Sequence, residues 1–125
     1  MLSGIPIAVL GSNSFAGASV VRRLLEDGAD VIGFNRSAEG SAIFLQYRWG
    51  EFSGTYRFVQ ADINHNLDEM AQILRDFKPK VVVDFMGQGM VAESWYHPDQ
   101  WFTTNVLSKV RLHEFLRELS GLERY

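Results

Sequence analysis

The chain has 125 residues, 46% of them hydrophobic, which is enough for one compact domain and too little for two. A formal net charge of −3 and a pI near 5.5 argue against a surface for nucleic acid or anionic membrane. The absence of cysteine excludes a disulfide framework, a thiolate metal site and a thiol nucleophile.

Ile5-Pro6-Ile7-Ala8-Val9-Leu10 suits a short strand buried on both faces. The turn Gly11-Ser12-Asn13-Ser14-Phe15-Ala16-Gly17 follows, and residues 14–27 read as a helix. Gly17, Val21, Leu24 and Gly28 fall on one side of it, with Val20 and Leu25 adjoining; Arg22, Arg23, Glu26 and Asp27 take the other. Gly28 suits the left-handed position after the helix end. Val31 to Phe34 is the second strand. Residues 37–55 admit a short helix at Ala42–Trp49 and a turn at Gly50–Gly54. Tyr56 to Gln60 is the third strand. Leu67, Met70, Leu74 and Phe77 have the spacing of a helix face, and Pro79 stops that helix. Val81 to Phe85 is the clearest strand, and Gly87-Gln88-Gly89 opens a loop after it.

Pro98 begins a last helix that runs to about Leu119, with Trp101, Asn105, Ser108, Leu112, Phe115, Leu116 and Leu119 on one face. Leu122 to Tyr125 has the character of a strand start. The alternation predicts an α/β fold: a parallel sheet of about four strands, joined by right-handed crossovers and covered by helices on both faces. Val81-Val82-Val83 and similar runs are far short of a membrane span. The N-terminus lacks the basic region, apolar core and cleavage site of a signal peptide, so the expected location is cytoplasmic.

The glycine turn carries the functional argument. A buried strand running into a glycine turn and then a helix presents unpaired backbone N–H groups at the positive end of a helix dipole. That is a seat for a pyrophosphate, and hence for a dinucleotide. In the pattern Gly11-x-x-Ser14-x-x-Gly17, Gly11 allows the tight turn and Gly17 lets helix and strand pack closely. Ser14 is small enough to leave room and adds a hydroxyl donor. Packing alone does not call for so small and polar a run as Ser12-Asn13-Ser14. A nucleotide-triphosphate P-loop is excluded by the missing Gly-Lys-Ser/Thr.

Near the end of the second strand, NAD-specific sites hold an acidic residue for the ribose hydroxyls. Here Asn35 stands there, followed by Arg36 and Ser37. A guanidinium binds a 2′-phosphate that a carboxylate repels, so NADP is favoured over NAD. The competing reading makes Arg36 an ordinary solvated charge.

In the order and spacing of five segments the chain resembles the extended short-chain dehydrogenase/reductase family, in particular its NAD(P)-dependent sugar-nucleotide epimerases and dehydratases. The segments are Gly11–Gly17 (with Ser14 where the family has glycine), Val31-Ile32-Gly33-Phe34-Asn35-Arg36-Ser37, Ala61-Asp62-Ile63, Asp84-Phe85-Met86-Gly87-Gln88, and Thr104-Asn105-Val106-Leu107 within Pro98–Leu116. The resemblance implies a Rossmann-like domain over residues 1–125 that ends before the catalytic part. The family's catalytic Ser/Thr lies on the fifth strand and its Tyr-x-x-x-Lys pair on the helix after it. No such pair occurs here: Tyr47, Tyr56 and Tyr96 are followed four places on by Glu51, Gln60 and Gln100. The expectation is a dinucleotide-binding fragment, inactive alone, whose nucleotide-sugar site lies in a missing C-terminal part. An unpaired sheet edge and an exposed helix face point to a homo-oligomer or a strand-exchanged dimer.

The resemblance also places individual residues. Asp62, beside the N–H of Ile63, would flank the adenine, while capping the turn after the strand remains an equal alternative. Phe85, Met86 and Gly87 would sit below the nicotinamide ribose. Asn105 would serve the cofactor or hold the fourth strand, and a purely structural hydrogen bond is the competing role. His65, His97 and His113 are isolated and are read as surface residues. Trp49, Trp95 and Trp101 are read as core or lobe contacts. A second hypothesis makes the chain a non-enzymatic dinucleotide sensor or split subunit of the same superfamily, and a third a scaffold with an empty cleft.

Overall fold

A computed structural model describes residues 1–125. The elements are β1 (Pro6–Leu10), α1 (Phe15–Glu26), β2 (Asp30–Asn35), β3 (Thr55–Gln60), α2 (Leu67–Phe77), β4 (Val81–Asp84), α3 (Val91–Tyr96), α4 (Pro98–Phe102), and α5 (Ser108–Glu118), with a π-helical turn at Thr103–Leu107 between the last two. The four strands form one sheet in the order β3-β2-β1-β4, and every pairing is parallel. The fold is Rossmann-like, as the sequence implies.

Strand periodicity sorts the core into two layers. Ile7, Val9 and Val31 face α1, where they pack with Ala18, Val21 and Leu25. Ala8, Leu10, Ile32 and Phe34 point the other way, onto Met70 and Leu74 of α2 and Leu112 and Leu116 of α5. Both faces of β1 and β2 are therefore dry, which explains their unbroken apolar runs. On α1 the buried stripe is Gly17, Ala18, Val21 and Leu25. Leu24, placed on the inner face by its spacing, is only half-buried. The helix ends as the sequence predicts. Gly28 adopts φ +86°, its N–H donates to Leu25 O, and Ala29 N–H donates to Leu24 O, which satisfies the last carbonyls.

Three expectations need correction, and one helix has no counterpart in the sequence reading. Residues 42–49 form two separate 3-10 turns, Ala42–Phe44 and Gln46–Arg48, in place of one short helix. Leu45 and Tyr47 are their buried anchors on the α1 side of the sheet. The helix α3 was not foreseen, because Val91, Trp95 and Tyr96 are exposed and give no buried stripe. Trp49 and Trp95 are 57% and 82% exposed, so neither belongs to the core. Finally, the β4 edge is not bare. Glu123 and Arg124 donate to Lys80 O, Val82 N–H donates to Arg124 O, and Val81 bridges Arg124 in parallel. No helix is long and apolar enough to cross a membrane.

Candidate functional site

The chain crosses from β3, on one side of β1, to β4 on the other. At this switch point the loops after β1 and β4 diverge, and parallel α/β sheets bind ligands there. A groove of about 480 Å³ lies at this end of the sheet, lined by residues that follow all four strands. Gly11 and Ser14 come from the β1 loop, Asn35, Arg36 and Ser37 from β2, Asp62 and Ile63 from β3, and Phe85, Met86 and Gly87 from β4.

The turn after β1 is held by its own backbone. Gly11 and Ser12 N–H both donate to Phe34 O, at 2.7 and 3.1 Å. Gly11 has φ +78°, and a Cβ there would lie 2.8 Å from the backbone carbon of Phe85, so only glycine fits between the β1 and β4 loops. A Cβ on Gly17 would collide with the Gly11 carbonyl, which is the close approach the sequence assigns to it. Ser14 is the N-cap of α1: its Oγ accepts from Gly17 N–H at 3.0 Å and donates to Gly11 O at 2.8 Å. The hydroxyl proton is thus used within the turn. Ser12 is fully buried, its Oγ 3.5 Å from Phe34 O. Asn13 N–H donates to Asn35 Oδ1 at 3.3 Å.

Two turn amides remain over. The N–H groups of Phe15 and Ala16 have no partner within the chain, and both residues are exposed. They stand at the first two positions of α1, at the positive end of its dipole. Two orphan donors beside a glycine cradle fit an anionic group.

At the end of β2, Arg36 is exposed and takes part in none of the six ion pairs. Asn35 is engaged by Asn13, and its amide donates to Ser37 O at 3.4 Å. After β3, the Asp62 carboxylate accepts from Asn64 N–H at 2.8 Å, so the turn-capping role is present while Asp62 also lines the groove. Ile63 is buried.

The floor after β4 is fixed from below. One Asp84 oxygen accepts from Met86 N–H at 2.8 Å, and the other accepts from Lys109 Nζ and from Tyr125 OH. Burial, then the neighbouring Asp84 carboxylate, pushes the Tyr125 hydroxyl above the usual tyrosine range. Asn105 does not line the groove. Its carboxamide grips the backbone of Gln88, so it holds the segment after β4.

Several groove residues were not given a binding role by the sequence. Gln88, Gly89 and Met90 continue the β4 loop, and Glu93, Gln100 and Thr104 come from the helices beyond it. Asn64 also lines the groove and ties its loop to the helical arm, donating to Thr104 Oγ1 at 3.0 Å and accepting from Ser108 Oγ at 2.6 Å. The signal available was the polar set Asn64, Thr104 and Ser108, with Asn64 forty and forty-four places before the other two. His65, His97 and His113 are exposed, and no three His, Asp or Glu residues gather in a way that suits a metal ion.

Behind the turn, Glu39, Tyr47 and Arg48 form a polar network. Arg48 Nη2 lies 2.6 and 2.8 Å from the two Glu39 oxygens, and Tyr47 OH lies 2.8 Å from Glu39 Oε2 and 3.0 Å from Asn13 Oδ1. Burial works to raise the Glu39 pKa, but hydrogen bonds from Arg48 and Tyr47 and the Arg48 charge together bring it below the usual carboxylate value. Burial first, and then Tyr56 and Glu39, push the Tyr47 hydroxyl far up.

A sequence model of the NAD dependent epimerase/dehydratase family matches residues 7–125. A UDP-glucose 4-epimerase of Mycolicibacterium smegmatis is 35% identical over 116 residues, covering 93% of this chain and 36% of that protein. Among solved structures, a UDP-glucose 4-epimerase from Stenotrophomonas maltophila with bound NAD and formylated UDP-arabinopyranose superposes with a TM-score of 0.78. It is 22% identical, and the match covers 94% of this chain and 34% of that one. The Thermotoga maritima UDP-glucose 4-epimerase with UDP-glucose gives 0.75 at 25% identity, over 93% and 35% of the two chains. The chain thus spans about a third of the length of the relatives it matches. The sequence match, the parallel sheet in the order β3-β2-β1-β4 and the glycine turn at its switch point agree: this chain belongs to the NAD dependent epimerase/dehydratase family.

Proposed function

We propose that residues 1–125 are the dinucleotide-binding part of an NAD(P)-dependent nucleotide-sugar epimerase or dehydratase. The observation that carries this is the pair of unpartnered amides of Phe15 and Ala16, set at the head of α1 beside Gly11. In this reading they hold the pyrophosphate. Asn35, Arg36 and Ser37 take the adenosine ribose end, Asp62 and Ile63 flank the adenine, and Phe85, Met86 and Gly87 lie under the nicotinamide ribose. Ser12, Ser14 and Gly17 shape the turn, Asn13 joins it to β2, and Asn105 holds the loop after β4. When bound, the nicotinamide group supplies reversible hydride uptake. This chain's residues bind and orient it. NADP is preferred over NAD, because Arg36 is an exposed, unpaired guanidinium where a carboxylate would repel a 2′-phosphate.

Residues 1–125 contain no Tyr-x-x-x-Lys pair. We therefore assign proton transfer, and the nucleotide-sugar site, to sequence outside them. The family match favours this reading over a sensor. We also propose self-association through one helical face. Phe102, Val106 and Val110 recur every four residues and are 69%, 51% and 52% exposed. Sedimentation of the 125-residue chain tests this: a dimer is expected, and a monomer at high concentration would contradict it. The location consistent with this function is cytoplasmic.

Titration of the same chain with NADPH and NADH, followed by nicotinamide fluorescence, tests the central reading. Saturable binding of both is expected, tighter for NADPH, with no turnover of a UDP-hexose. Failure to bind either dinucleotide would overturn it.

A further inference from the structure

β4 ends at Asp84, and Phe85 N–H makes the last bond of its ladder, to Leu10 O at 2.8 Å. The next peptide, Phe85–Met86, has no strand partner. It lies against the glycine turn: a Cβ on Gly11 would stand 3.0 Å from both Met86 N and Phe85 O. One Asp84 oxygen takes its N–H, at 2.8 Å. The N–H and C=O of a trans peptide point opposite ways, so the Phe85 carbonyl is turned away from Asp84. No group in the chain donates to that carbonyl, and Phe85 and Met86 both line the groove. Asp84 is itself held. Its side chain is 7% exposed, and a carboxylate so placed needs partners. Its second oxygen accepts from Lys109 Nζ and from Tyr125 OH. Lys109 stands in the first turn of α5; one turn later the His113 ring meets the Tyr125 ring edge-on, with centroids 4.5 Å apart. Arg124 bridges Val81 in parallel, which carries Tyr125 along β4 towards its end. Burial, then Asp84, raises the Tyr125 hydroxyl above the usual tyrosine range, so it keeps its proton as a donor at neutral pH.

We propose that Asp84, locked by Lys109 and Tyr125, is a positioning residue for the nicotinamide ribose. It sets the Phe85–Met86 peptide so that the Phe85 carbonyl faces the groove as an acceptor for a ribose hydroxyl. This rests on the groove being the dinucleotide site. Asp84 does not line the groove. It acts through Met86, one hydrogen bond away, and Met86 does line it. The acceptor oxygen matters and the charge does not, because Lys109 already balances the carboxylate.

The test compares the affinity of the whole chain for NADPH with that for 2′,5′-ADP, which has the adenosine end and no nicotinamide ribose. Asp84→Ala combined with Lys109→Met removes the acceptor and leaves no charge unpaired. NADPH binding is expected to weaken about fivefold, the worth of one hydrogen bond, while 2′,5′-ADP stays within about twofold of the parent. Asp84→Asn combined with Lys109→Met keeps an oxygen for Met86 N–H, and NADPH affinity is expected to return to within about twofold of the parent. Amide exchange at Met86 should follow the same order, fast with alanine and slow with aspartate or asparagine. Should the alanine variant fail to fold, Tyr125→Phe decides. It frees Asp84 from one of its two holds, and NADPH should weaken at least about twofold relative to 2′,5′-ADP. Equal weakening of both ligands, a ratio that moves by less than about twofold, or no recovery with asparagine would overturn the proposal and leave Asp84 an anchor of the fold alone. Absence of NADPH binding to the parent chain would overturn the dinucleotide reading itself and this proposal with it, a distinguishable result.

Discussion

The carboxamide of Asn105 brackets the backbone of Gln88, accepting from its N–H at 2.8 Å and donating to its C=O at 2.9 Å. A side chain on the π-helical turn thus completes the hydrogen bonding of a loop that has no strand partner. Asn105→Ala removes both bonds and leaves two half-buried backbone groups unmet. The expected cost is about 1–3 kcal/mol in urea denaturation. Dinucleotide affinity should fall with it, because Gln88 adjoins the groove floor at Phe85–Gly87. Unchanged stability would show that water replaces the amide at no cost.

Phe15→Pro separates the anion seat from the fold. Phe15 is the first residue of α1, is 84% exposed, and its N–H has no partner. Proline is favoured at that position, and Ser14 before it is already extended at φ −67° and ψ 160°. Thermal stability should stay within about 1 kcal/mol of the parent, while NADPH affinity drops at least about tenfold from the lost donor and its crowding. Full retention of affinity would remove Phe15 from the seat.

Glu39 gives a pH dependence with a defined sign. Its folded-state pKa is depressed below 4.5, so its contribution is present above that value and is lost as pH falls through the folded pKa. Glu39→Gln should therefore be less stable than the parent at pH 7, by about 0.2–1 kcal/mol since the pair is partly exposed. The gap should narrow as pH falls below the ordinary glutamate value of about 4.3 and close below the depressed folded-state pKa. Denaturation at pH 7 and pH 3 measures this, and a gap that widens in acid would contradict it.

Leu112 is fully buried between α5 and the sheet, in the same layer as Leu10, Phe34 and Met70. Leu112→Ala should cost about 2–5 kcal/mol and loosen the helical arm that carries Asn105. A loss below 1 kcal/mol would mean that α5 is not tied to the core as described.

The first half of the chain is readable because each element has one strong local cause. Ile7 to Leu10 form an apolar run buried on both faces, Gly11 has a positive φ, Ser14 is a cap and Gly28 ends the helix. The segment 37–49 has no such cause. It is held by two isolated anchors, Leu45 and Tyr47, and by Glu39–Arg48, contacts that exist only once the α1 layer has formed. The helix α3 was illegible for the opposite reason: Val91 and Trp95 face outward, so no stripe marks it. At the site, the glycine turn announced the seat. Which amides stay free depends on Phe34 O, Asn35 Oδ1 and Ser14 Oγ, and those partners come from the tertiary fold. Asn64 was invisible because Thr104 and Ser108 reach it from across the groove.

Nitrogen-15 amide spectra of the chain during an NADPH titration address the pyrophosphate seat most directly. The Phe15 and Ala16 resonances are expected to shift most, to move together and to saturate with the binding curve, with Gly11 and Arg36 following. Saturable binding that leaves Phe15 and Ala16 unmoved would contradict that placement of the pyrophosphate.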